Sequence, residues 1–164
     1  MAQTSAGYTG NNPLSTAMPN CGGSYGIQST DCSNQLVQSY SILLTPAQID
    51  VMYTTPIVLL PQPVTLGLLA TNGYAVDNVT FKYIYGGTVF TGGGAISFQY
   101  SGGATVVTTI AATALTTAAN SAFYLGGNTT TTIPLNTAVT MTNATGVFAA
   151  GSGSVQVVVN YTVI

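Results

Sequence analysis

The chain has 164 residues, enough for one domain with a real core, yet only 2% of them are charged, against about 25% in an ordinary soluble domain. The charged side chains are Asp31, Asp50, Asp77 and Lys82, and there is no histidine and no glutamate. One lysine and no arginine exclude a basic patch for phosphates, and so direct nucleic-acid binding. With 46% hydrophobic residues, charge-driven disorder is also excluded. No run reaches the about 18 consecutive apolar residues of a membrane-spanning helix.

Residues 1–36 are rich in Gly, Ser, Asn and Pro and carry isolated apolar residues at Tyr8, Leu14, Met18, Tyr25 and Ile27, with no helical or strand period. This reads as an extended N-terminal arm whose apolar residues lie across a neighbouring subunit; a free tail is the plainer reading. The stretch Met1–Ser5 lacks a basic or apolar leader, so no secretory signal is expected. Cys21 and Cys32 bracket CGGSYGIQSTDC, either as a small disulfide loop or as two free thiols. Two cysteines without histidine do not suggest a metal site.

Residues 37–164 form the expected domain. VQSYSILL (37–44) reads as a strand. In LTPAQIDVMYTTPIVLLP, Thr45 is placed to cap a helix, Pro46 to open it and Pro56 to end it, with Ile49, Met52 and Tyr53 as its apolar face. IVLLP (57–61) and VTLGLLA (64–70) are expected as strands, buried on both faces or at an oligomer seam. AVDNVTFKYIY alternates strictly, with Val79, Phe81, Tyr83 and Tyr85 on one face. After Gly86-Gly87 a short strand over 88–91 is expected, and Gly92 to Gly94 turn into AISFQY (95–100). ATVVTTI (104–110) reads as a strand, and AATALTTAANSAFYL as a short helix or irregular chain. AVTMTN (138–143) and SVQVVVNYTVI (154–164) close the series. Short strands, Gly-rich turns and one minor helix predict an all-β antiparallel sandwich or jelly roll. No repeat of fixed length appears, which sets aside a parallel solenoid.

Catalysis finds little material here. Without histidine there is no Ser-His or Cys-His pair, and no spacing brings two of the three aspartates together. The glycine clusters lie between strands and lack the lysine and helix of a phosphate loop, so hairpin turns account for them. Of ten tyrosines, Tyr83, Tyr85, Tyr100, Tyr124 and Tyr161 fall at core-like positions. The N-x-T sites at Asn78, Asn128, Asn143 and Asn160 are what a Thr-rich sequence produces, and two fall inside expected strands. No catalytic residue, cofactor or metal is expected.

The order LTPAQIDVMYTTPIVLLPQPV, then TFKYIYGGTVFTGGGAISFQYSGG, then a terminal SVQVVVNYTVI resembles small structural proteins of tailed bacteriophages that decorate or cement the head. The likeness covers roughly residues 40–164 and leaves the arm out. It implies a virion protein on the outer capsid surface, made in the host cytoplasm. Its implied partners are the major capsid protein and neighbouring copies, as a homo-oligomer, a trimer before a dimer, without nucleic acid or membrane. The alternative is a receptor- or glycan-binding module of a tail fibre or other adhesin. A surface-layer or pilus subunit comes third.

Overall fold

A computed structural model describes residues 37–103, 105–128 and 132–164. Its elements are β1 (Gln38–Leu44), α1 (Pro46–Val51), β2 (Ile57–Leu60), β3 (Tyr74–Ile84), β4 (Thr91–Gly92), β5 (Ile96–Tyr100), β6 (Val106–Ile110), β7 (Ser121–Gly126), β8 (Val139–Asn143), β9 (Phe148–Ala149) and β10 (Ser154–Val163). Two 3₁₀ turns, Pro63–Leu66 and Ala112–Ala114, lie between strands.

Alternation decides which side of each long strand is dry. In β10, Val155, Val157, Val159 and Tyr161 point inward, and in β3 Val79, Phe81 and Tyr83 do the same. These two strands pair along nearly their whole length and become the centre of one sheet, ordered β1-β10-β3-β7. The second sheet is ordered β2-β8-β5-β6, and both are antiparallel throughout. The pairs nest along the chain: β1 with β10, β2 with β8, β3 with β7, and β5 with β6 innermost. A long hairpin rolled up in this way is a jelly roll, the architecture expected from the sequence. The two inner faces close on each other through rings such as Phe81 of β3 and Phe98 of β5, 6.4 Å apart at 77°, an edge-to-face geometry that adds to plain area burial.

The helix α1 connects the outermost strands of the two sheets. Gln48 Oε1 accepts from both the Thr45 backbone N–H (2.9 Å) and the Thr45 hydroxyl (3.0 Å), fixing its start. Ile49 and Met52 are fully buried, and Thr142 of β8 donates its hydroxyl to the Met52 carbonyl at 3.1 Å. The third residue of the expected apolar face departs: Tyr53 is 46% exposed. It lies in the turn beyond the helix, where Thr54 and Thr55 N–H groups bond back to Val51 and lead the chain out.

Four further expectations are corrected. Residues 64–70 are not a strand: Pro63 opens a 3₁₀ turn, and Gly67 ends it at φ +79°, a conformation that costs glycine little. The apolar residues there are exposed rather than buried on both faces. The 111–125 stretch divides into a 3₁₀ turn and β7, whose Phe123 and Leu125 pack on the core while Tyr124 is 73% exposed. Tyr124 is thus not a core residue, whereas Tyr83, Tyr100 and Tyr161 are buried, Tyr85 packs against the core, and Tyr74 joins them. The short strand expected over 88–91 reduces to Thr91–Gly92, paired with β9 as a two-stranded ribbon.

Candidate interaction surfaces

The outward side of the β1-β10-β3-β7 sheet is set by the same alternation that fills the core. Three cross-strand rows run over it: Ser39–Asn160–Asn78–Gly126, Ser41–Val158–Thr80–Tyr124, and Leu43–Gln156–Lys82–Ala122. The face is hydroxyl, amide and methyl, with the one lysine of the whole chain on it. Asn160 Nδ2 donates to Asn78 Oδ1 at 2.8 Å, and Gln156 Nε2 to Ser41 Oγ at 3.5 Å. Beside Asn78 the register with β10 slips by one residue, so Asp77 bulges out and accepts from the Thr162 hydroxyl at 3.3 Å.

At one end of the roll the β2–β3 connection, the residues before β8 and the C-terminal residue are stitched together. Asn72 is the hub: its Oδ1 accepts from Leu69 N (2.9 Å) and its Nδ2 donates to the Ile164 carbonyl (3.0 Å). Its own carbonyl accepts from Asn136 N (2.7 Å), and Asn136 Oδ1 in turn accepts from Val64 N (3.3 Å). Gly73 and Ile164 exchange a pair of backbone bonds at 3.0 Å each. This scaffold holds Val64, Leu66, Leu68, Leu69, Leu135 and Ile164 exposed. Side chains of this kind on an ordered frame make a contact surface that loses little freedom on binding.

The opposite end is sealed by polar groups. Asn143 is buried, and its Nδ2 donates to the Gly93 carbonyl at 2.6 Å and to the Gly146 carbonyl. Back at the Asn72 end, inside the roll, Asn128 Nδ2 donates to Tyr100 Oη at 2.8 Å. All four N-x-T asparagines are therefore engaged in the fold.

Among the described residues the charged groups Asp50, Asp77 and Lys82 stand apart. Asp50 stands on α1, its Oδ1 shielded and without a hydrogen-bond partner among the described residues, and burial holds its carboxyl above the usual range. Asp77 sits at the β3 bulge, and Lys82 on the outer face of the same strand. Burial raises Tyr74, with the neighbouring Tyr161 adding to it, and raises Tyr83, with Tyr85 adding to it. Burial also raises Tyr161, and raises Tyr100 against the partly offsetting Asn128 N–H. Among the described residues no three His, Cys, Asp or Glu side chains gather as metal ligands, and no helix is long and apolar enough to cross a membrane.

The arm contacts expected at Tyr8, Leu14, Met18, Tyr25 and Ile27, and the Cys21–Cys32 pair, lie outside the described residues. The exposed apolar end had a partial signal in sequence, because VTLGLLA is apolar without alternation. The edge position of β1 among the described strands had none, since only the strand order reveals it.

No protein-family description matches the chain, and no curated protein does. Among solved structures it is similar to a chain of the cyanophage Pam1 capsid asymmetric unit, at 19% identity and TM-score 0.47, covering 86% of this chain and 94% of that one. It is also similar to a chain of the disulfide-linked pili that form Bacillus endospore appendages, at 17% identity and TM-score 0.35, covering 85% and 98%. A third, dimeric latent PorU from Porphyromonas gingivalis, aligns at 10% identity and TM-score 0.38 over 14% of its length. Likeness this distant says nothing of what the chain does.

Proposed function

We propose that the chain is a structural virion protein, binding the outer surface of a phage head as a homo-oligomer and cementing its lattice. The observation that carries this reading is the jelly roll with an almost uncharged exterior. Among the described residues its exposed side chains offer area, hydroxyls and amides rather than an acid–base pair. Repeated neutral contacts suit a lattice, where many weak identical contacts add up to firm attachment. The phage-like segments LTPAQIDVMYTTPIVLLPQPV and SVQVVVNYTVI support it too: they build α1 with the strands beside it, and the central strand β10. In this reading the partners are the major capsid protein and neighbouring copies, and the chain is not an enzyme.

A second reading, a glycan- or receptor-binding module, is favoured by Tyr124, a ring 73% exposed on the outward sheet face, since an exposed aromatic can stack on a sugar.

The test is reconstitution. Purified chain is added to heads that lack it, and heat or osmotic rupture is followed. Saturable binding that raises resistance to rupture supports cementing. Heads that take up no chain, with binding to surface glycans instead, would favour the second reading.

A further inference from the structure

The strands β1 and β2 border each other across one side of the sandwich and differ in how their edges, unpaired among the described residues, are guarded. Strand β2 has four residues between Pro56 and Pro61, and its pairing with β8 slips between Val58 and Leu60. Prolines, brevity and bulges are the usual means of blunting an edge. Strand β1 has none of these. Its seven residues pair with β10 one for one, from Gln38↔Tyr161 to Leu44↔Val155, with no slip, no proline and no charge. In an antiparallel ladder alternate residues turn N–H and C=O away from the partner. Among the described residues no backbone hydrogen bond reaches β1 except from β10. Both faces of the strand also leave apolar surface in water: Tyr40 is 37% and Leu43 61% exposed.

We propose that β1 pairs with β1 of a second copy, antiparallel about a two-fold axis at Ser41, joining the two four-stranded sheets into one continuous sheet. The argument for a second copy, rather than some other strand, is that QSYSILL is complementary to itself in this register. On the outer face Leu43 lies opposite the partner's Ser39, large against small, and Ser41 lies opposite the partner's Ser41. On the inner face Tyr40 lies opposite the partner's Ile42, an aromatic–β-branched pair of the kind that stabilises sheets. No charge meets a charge anywhere in the pairing. This contact does not rest on the virion reading. Where copies also form the trimer that the phage resemblance implies, it links trimers in pairs.

Two measurements on the full chain test it. Ser41→Lys places like charges face to face at the axis, at a position exposed enough to leave the fold intact. Its mass by sedimentation or light scattering should be half that of the unsubstituted chain. Independently, Ser41→Cys on a Cys21→Ser, Cys32→Ser background should give a covalent dimer on mild oxidation. Directly opposed residues in an antiparallel pair stand about 4.5–5.5 Å apart at Cα, within disulfide range. Thr80→Cys, on the same face but in an inner strand, should remain uncrosslinked. An unsubstituted chain that is monomeric, a mass that Ser41→Lys does not change, or crosslinking no greater at Ser41 than at Thr80 would each overturn the proposal.

Discussion

The hydroxyl of Tyr100, on β5, donates to the backbone carbonyl of Tyr74, on β3, at 2.5 Å. The two residues belong to different sheets, so this bond clasps the sandwich from within. Tyr100 Oη also accepts from Asn128 Nδ2, and Tyr74 sends its own hydroxyl to the Pro61 carbonyl at 2.8 Å. A buried chain of polar groups of this sort fixes the relation of the sheets where apolar packing alone would allow sliding.

Tyr100→Phe keeps the ring and removes the clasp, leaving the Tyr74 carbonyl and the Asn128 amide without that partner. The expected loss is about 1–3 kcal/mol, read as a lower denaturation midpoint with an unchanged slope. Tyr124→Phe, on the exposed face, should leave the midpoint unmoved and serves as the control.

Asn143 makes a sharper case, because its amide nitrogen faces two carbonyls, Gly93 and Gly146, inside the fold. Asn143→Asp replaces that donor with an acceptor at nearly constant size, and should cost about 3 kcal/mol or more. Asn143→Ala should cost less, about 1–3 kcal/mol. Equal loss in the two variants would show that the two carbonyls do not govern this site.

Stability should rise on acidification and fall in alkali. The Asp50 carboxyl is held above its ordinary 3.8 by burial, so the stability linked to it is complete below that value and is lost as pH rises through its folded-state pKa. Tyr74, Tyr83, Tyr100 and Tyr161 are raised above their ordinary 10.0. Their share is intact below 10.0 and is lost as pH climbs through the folded values. Melting curves across the pH range should show Asp50→Asn removing Asp50's share of the acid gain and raising the melting temperature at neutral pH. An unchanged acid slope in Asp50→Asn would assign the gain elsewhere.

Alternation made much of this fold legible. AVDNVTFKYIY and SVQVVVNYTVI each announce one dry face, and they prove to be the paired central strands β3 and β10. The glycine turns around β5 were equally plain. Three things were hidden, each for a physical reason. VTLGLLA looks like a buried strand because its residues are apolar, but Pro63 and the left-handed Gly67 bend it into a turn that leaves them in water. Strand β7 is masked by the Ala-Thr run before it, which lacks large residues to mark a period. Tyr124 shares the strand of Phe123 and Leu125 yet faces out, a matter of register that composition does not carry. Of the interaction surfaces, the outer face follows from alternation once β3 and β10 are paired. The edge position of β1 among the described strands is a property of topology alone.

Removing residues 1–36 should leave residues 37–164 folded, with the melting temperature within a few degrees of the full chain, and should weaken attachment to heads. Co-sedimentation with heads measures this. Truncated chain that attaches as well as the full chain would mean that the arm contributes nothing to binding.

A structural protein of the phage head, as proposed, must be found on the head, so its position on the particle is the decisive measurement. Gold-labelled antibody against residues 37–164, applied to intact virions and imaged by electron microscopy, should decorate the whole head in many copies and leave the tail bare. Label confined to a few copies at the tail tip, or absent from particles altogether, would contradict the account.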